Sequence, residues 1–252
     1  MNKYEHHALR ELDRWKHKMK KEPSLTNRLT RSVQHRINNI IPDKIHQFIT
    51  VSIKQMVRGV ISGAKFTTSK KPAYPDLETL ENKVMERIKF YRSGAAIEGA
   101  VTGAGGFLSG LADFPLWLTL KMKMMFEIAS CYGIDLKDYK ERIYILHIFQ
   151  LTFSSQQHKN EIFQVLEDWE NCKNTLSDDI HQFDWKTFQL EYRDSIDLAK
   201  MLQLIPGFGA VAGAWVNHQL TNKLGIYAIQ AYRMRRYPEK KRFTRKKIPY
   251  LK

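Results

Sequence analysis

The stretch GAAIEGAVTGAGGFLSGLADFP, residues 94–115, holds six of the chain's thirteen glycines and decides the class of fold. It is open to three readings: a membrane span, a phosphate loop, or a place where helices press together. Its uncharged core, Gly99–Ala112, is fourteen residues long. A span needs roughly 20 apolar residues, and extension in either direction takes in Glu98 or Asp113, both costly in lipid. A second small-residue stretch, IPGFGAVAGAWVNHQLTN (205–222), has no charge but carries Asn217, His218, Gln219 and Asn222. GAGGFL (103–108) lacks the third glycine of a dinucleotide fingerprint. GFGAVA (207–212) fits only the looser form, without the strand before it or the acid after it that such a site needs. The packing reading fits the spacing. Gly99/Gly103, Gly106/Gly110 and Gly209/Gly213 each form GxxxG, and small residues four apart share a helix face that admits a second backbone. Two glycine-rich helical hairpins packed on each other are the expectation, the first turning near Gly105–Gly106 and restarting at Asp113.

The surrounding sequence is helical. Tyr4, Ala8, Leu12, Trp15 and Met19 form one stripe, and Leu25, Leu29, Val33, Ile37 and Ile40 another. A third helix from Asp43 carries Ile49, Ile53, Met56, Val57 and Val60 at the i, i+3, i+4, i+7 spacing. Asp76 caps a fourth with Leu77, Leu80, Val84, Ile88 and Tyr91. Pro115 in a first turn and Gly133 at a C-cap bracket the next. Residues 138–153 read as a helix with one apolar stripe (Tyr139, Ile143, Leu146, Phe149), and 160–174 and 186–204 as further helices. Pro206 opens a last long helix that reaches about Arg236. Runs of period two are few. The expected fold is all-α, a single compact domain over 1–252 with eight to ten helices, basic amphipathic N-terminal helices (1–41) and a basic tail (237–252).

The net charge of +15 lies wholly at the ends. Residues 1–36 carry ten Lys/Arg against four acids, residues 233–252 ten against one, and residues 37–232 balance. Basic ends attract polyanions: anionic lipid, nucleic acid or an acidic protein face. The mean hydropathy of −0.46 argues against an integral membrane protein, and the N-terminus has no apolar leader segment. Helix 4–20, with Trp15 on its stripe and Lys16 and Lys20 around it, has the pattern of a helix lying in an anionic interface. Arg233, Arg235, Arg236, Lys240, Lys241, Arg242, Arg245, Lys246 and Lys247 extend the membrane-facing set, mixed with Tyr237, Phe243 and Tyr250. No nucleic-acid-binding motif accompanies them, which favours lipid over nucleic acid. Cys131 and Cys172 read as buried reduced thiols. The histidines show no metal-ligand spacing, and neither a metal nor a cofactor is expected.

EGAVTGAGGFLSGLADFP (98–115) followed by CYGIDLKDYKER (131–142), and LIPGFGAVAGAWVNHQL (204–220) followed by AYRMRRY (231–237), resemble the signature of the EcsC family. The family is named for a bacterial protein encoded beside two components of an ABC transporter. The resemblance implies a bacterial protein, cytoplasmic and peripheral at the cytosolic membrane face, with ABC transporter components as possible partners, and it specifies no reaction. Its characteristic positions here would be Glu98, Gly99, Gly103, Asp113, Gly133, Arg142, Pro206, Gly207, Gly209 and Asn217. Glu98, in an apolar segment, either pairs with a cation such as Arg142 or faces a cavity. Asp113 reads as an N-cap, Asn217 as a hydrogen-bonding group across a tight helix pair, and Arg142, beside Glu141 at a helix start, as an ion-pair partner. The function these features favour is a non-enzymatic, membrane-associated accessory protein. An enzyme using Glu98 and Asp113 as acid and base between the hairpins, and a nucleic-acid-binding protein, are the alternatives.

Overall fold

The computed structural model describes residues 1–21, 43–62, 74–102, 114–154, 156–182 and 210–238, with only the backbone at 43, 45, 46, 94–102, 156, 157, 180 and 210–216. Among these residues are eight α-helices and no β-strand: α1 (Lys3–Lys20), α2 (Asp43–Ser62), α3 (Leu77–Thr102), α4 (Phe114–Cys131), α5 (Tyr139–Phe153), α6 (Gln156–Glu167), α7 (Trp169–Thr175) and α8 (Ala210–Arg236). The fold is all-α, as the periodicity predicts. The turn of the glycine-rich stretch, with Gly103 and Asp113, lies outside the described residues, as do the helices expected over 25–40 and 186–204 and the tail from Glu239.

Local chemistry explains the helix ends. Asn2 and Glu5 form a capping box at α1: the Glu5 amide donates to Asn2 Oδ1 (2.8 Å) and the Asn2 amide to Glu5 Oε2 (2.9 Å). Asp76 caps α3, accepting from the Thr79 amide at 2.7 Å. At the end of α4, Gly133 adopts φ +76°. There the Gly133 amide donates to Ser130 O (2.9 Å) and the Ile134 amide to Ala129 O (3.1 Å), a Schellman pair that glycine makes possible. Asp138 caps α5 through the Lys140 amide. One helix expected over 160–174 is two, because the backbone breaks at Asp168 (φ −109°, ψ 27°) and Trp169 restarts it into the core.

α5 is the centre. All fifteen of its residues are buried, where the sequence suggested a single apolar stripe. Its polar side chains are satisfied internally: Thr152 donates to Ile148 O, and His147 Nδ1 lies 2.9 Å from Gln150 Oε1. α2, α4, α6 and α8 surround it, and α1 packs across α8 and α6. The most extensive helix pair is α3 with α8, which run antiparallel. Glu81 meets Arg233, Ile88 meets Gly225 and Arg92 meets Asn222, so one number rises as the other falls. Glycine does permit the close approach, but the described contact is at Gly225, where Ile88 fills the missing side chain's place. Carried onward, this register sets the helical backbone of 94–102 opposite that of 210–219, the two small-residue segments.

Two outcomes test these packing statements. A Cβ on Gly225 would lie 2.5 Å from both Cγ1 and Cδ1 of Ile88. Gly225→Ala is therefore expected to destabilise by about 1–2 kcal/mol in urea unfolding, despite a helix-propensity gain of about 1 kcal/mol. Combined with Ile88→Ala it should cost nothing further; a destabilisation that persists there would refute the contact. Burial pushes the His147 imidazole down to about 4, against a partial opposing effect of Gln150. The unfolded chain takes up this proton near pH 6.5 and the folded chain does not until about pH 4. Stability is thus lost as pH falls through that window, by up to about 1.4 kcal/mol per pH unit. Urea midpoints at pH 6.5 and 4.5 should converge in His147→Phe, and an unchanged slope would place the titration elsewhere.

Candidate functional site

The last two turns of α8 carry AYRMRRY, and two of its arginines point inward. Arg233 is 5% exposed and grips Glu81, itself 1% exposed, with Nε on Oε1 (2.7 Å) and Nη2 on Oε2 (2.6 Å). Its Nη1 reaches Glu11 Oε2 at 2.8 Å and Ala8 O at 3.4 Å on α1. Two phenols complete the carboxylate's shell: Tyr4 donates to Oε2 (2.7 Å) and Tyr132 to Oε1 (3.0 Å). Burial opposes the charge on Arg233, but Glu81 and Glu11 overcome it and hold the guanidinium above its ordinary range. Tyr4 and Tyr132 are pushed up by burial and by the adjacent carboxylate, so both remain donors.

On the other flank Arg235 binds Glu141 through Nη1 and Nη2 and Glu170 through Nε (3.0 Å), while its guanidinium lies 4.9 Å from the Tyr144 ring centroid. Lys173 adds contacts to Glu141 (2.6 Å) and Asp138 (2.9 Å). The end of α8 is thereby fastened to α1 and α3 on one side and to α5 and α7 on the other. Tyr237 then donates to Glu5 Oε1 (3.0 Å), so the chain leaves α8 beside the first turn of α1. The end of α8 and the first turn of α1 are thus neighbours.

This geometry corrects several expectations. Trp15 is buried edge-on against Phe163 and Tyr227, and Lys16 is buried too, so neither is on a membrane-facing surface. The apolar stripe of α1 is taken up by the protein core. Arg233 and Arg235 are ion-paired inside the fold. Lys20 pairs with Glu167 at 2.8 Å, and Arg236 is exposed. Among the described residues Arg142 forms no ion pair: its Nε and Nη2 donate to Ile61 O and its Nη1 to Leu136 O and Lys137 O, so it ties the end of α2 to the start of α5. Asn217 accepts from Trp117 Nε1, joining α8 to α4, and its carbonyl accepts from Thr221. Glu98 and Gly99 lie on α3. Asp113, Gly103, Pro206, Gly207, Gly209, Lys240, Lys241, Arg242, Arg245, Lys246 and Lys247 lie outside the described residues.

A shallow depression of about 400 Å³ is lined by Lys137, Asp138, Tyr139, Arg142, Asp178, Asp179 and His181. At its rim Lys140 holds Asp178 and Lys173 holds Asp138. Among the described residues no cluster of His, Cys, Asp and Glu could hold a metal ion, and no helix is long and apolar enough to cross a membrane.

The model of the EcsC protein family matches residues 6–237. The chain belongs to that family. It is 40% identical over 222 residues to Protein EcsC of Bacillus subtilis (strain 168), covering 88% of this chain and 91% of that protein. It is 27% identical over 263 aligned positions to the uncharacterized protein YdbA of the same strain, covering 96% of each. No solved structure matches. The EcsC-like motifs CYGIDLKDYKER and AYRMRRY are those that supply Tyr132, Asp138, Glu141, Arg142, Arg233 and Arg235 to the clusters above. Sequence reading missed Glu81, yet Glu81 sits in register with Leu77, Val84 and Ile88 on the buried stripe. A lone acid in that position signals a buried partner.

Removing one member of such a pair strands the other's charge. Arg233→Met should destabilise by about 3–5 kcal/mol in urea unfolding, while Glu81→Leu/Arg233→Met should recover much of that loss. Additive single-mutant losses would show that the pair is not coupled.

Proposed function

We propose that this EcsC-family chain is a non-enzymatic accessory protein, peripheral to a membrane, that binds an anionic bilayer surface through its two basic ends. What supports the reading above all is the Tyr237–Glu5 contact, because it puts the point where the basic C-terminal residues begin beside the first turn of α1. Residues 236–252 carry eight Lys/Arg and one acid, and they begin beside the basic helix α1, so charge of one sign starts next to charge of the same sign. The body contributes no comparable excess of charge: residues 37–232 are neutral. Attraction of this kind acts near the membrane face and needs no spanning helix. The accessory role is taken up at the cytosolic face, and ABC transporter components are the integral partners that the family resemblance suggests.

Each basic residue near an anionic bilayer contributes about 1 kcal/mol at most. Full-length protein should therefore co-sediment with phosphatidylglycerol vesicles and not with phosphatidylcholine vesicles. Removal of residues 239–252 should weaken that binding at least about tenfold. Absence of binding by the full-length protein at low salt contradicts the reading.

A further inference from the structure

α1 presents two opposite faces. Ala8, Leu12, Trp15 and Met19 are spent on the core. On the outside Lys3, Arg10, Arg14, Lys18 and Lys21 are exposed. Their spacings of seven, four, four and three residues return them to one line along the helix. At 1.5 Å per residue the row is about 27 Å long. Arg14 Nε donates to Arg10 O at 3.3 Å, which holds that side chain along the row.

The acids of α1 do not cancel this charge. Glu5 is occupied by the capping box and by Tyr237. Glu11 is drawn inward by Arg233 and is 3.5 Å from His7. Asp13 is exposed beside the row, three residues from Arg10, and offsets part of its charge, leaving five cations against that one exposed acid. His6, His7 and His17 are exposed among the cations, and Arg236 is exposed at the end of α8, where Tyr237 meets Glu5.

We propose that this outer face of α1 is the surface that docks on anionic lipid headgroups, with the helix lying flat on the bilayer and inserting nothing. The inference rests on the peripheral-membrane reading and names the element that makes the contact. Charge complementarity carries it: a straight row of five cations on a rigid helix, offset only in part by Asp13, with Arg236 exposed where α8 ends beside the start of α1. Insertion is ruled out by the same packing that fixes α1, since its apolar residues, Trp15 included, are in the core. The row contains no aromatic side chain, so it lacks the stacking platforms by which proteins hold single-stranded nucleic acid.

The test uses the full-length protein with the substitutions Arg10→Gln, Arg14→Gln and Lys18→Gln together. A control carries Lys54→Gln, Lys89→Gln and Lys123→Gln, which remove the same charge from exposed positions on α2, α3 and α4. Both should melt as the wild type does. Partitioning onto phosphatidylglycerol vesicles should fall roughly 30- to 100-fold in the α1 variant and severalfold at most in the control. Wild-type binding should be abolished at about 1 M salt, where the screening length is about 3 Å. An α1 variant that binds as the wild type does, while loss of 239–252 abolishes binding, overturns the assignment to α1 and leaves the peripheral-membrane reading standing. Absence of wild-type binding overturns both. Binding that survives high salt overturns the flat, uninserted docking, and tighter binding to DNA than to the vesicles at equal salt overturns lipid as the occupant.

Discussion

The carboxylate of Glu81 and the guanidinium of Arg233 constrain everything else where the end of α8 meets the start of α1. Neither charge can stay buried without the other, and the geometry is bidentate, so the pair admits one register of α8 on α3. Sliding α8 by one residue would rotate Arg233 about 100° away from Glu81, move Gly225 off Ile88 and force both groups to find new partners. The tyrosines fill the remaining acceptor positions of the carboxylate. One of them is on α1 and the other follows α4, so a single buried acid gathers four parts of the chain. Arg233 also contacts Ala8 and Glu11, more than 220 residues earlier in sequence. Closing a loop of that size is entropically costly, and charge-assisted bonds in a dry environment are suited to offset it.

The basic residues of this chain are therefore of two kinds. Arg233, Arg235, Arg142 and Lys173 act within the fold, on carboxylates or on main-chain carbonyls. Lys3, Arg10, Arg14, Lys18, Lys21 and Arg236 face outward. The two kinds alternate along the RMRR sequence: Arg233 and Arg235 are used inside and Arg236 is not. Total charge describes attraction to polyanions poorly until this division is made. Once it is made, the outward cations of α1 form one row, and Arg236 stands outward at the end of α8, where Tyr237 meets Glu5.

Helix starts and stops were legible because their chemistry is local. Asp76, Pro115 and Gly133 act within a turn of themselves. The apolar stripes of α2 and α3 were legible for the same reason. What was not legible depends on what the other side of a helix meets. Amphipathicity identified the apolar face of α1 but not whether core or lipid covers it, and core does. α5 looked one-sided because Glu141, Arg142, His147, Gln150 and Thr152 are polar; it is central because each finds a partner inside. Arg142 was expected to pair with an acid and instead binds three carbonyls, a choice that depends on where the end of α2 lies. Of the family-motif positions, Arg142, Asn217 and Gly133 are seen to shape the fold, and Glu98 and Gly99 are placed on α3.

The central claim is that the buried Arg233 cluster holds the end of α8 against the start of α1. Spin labels on Lys3→Cys and Pro238→Cys, with the buried native cysteines replaced, measure this by double electron–electron resonance. The account predicts one short, narrow distance that broadens and lengthens when Arg233→Met is added. A long or broad distribution in the protein with Arg233 intact, or one that Arg233→Met leaves unchanged, would contradict it.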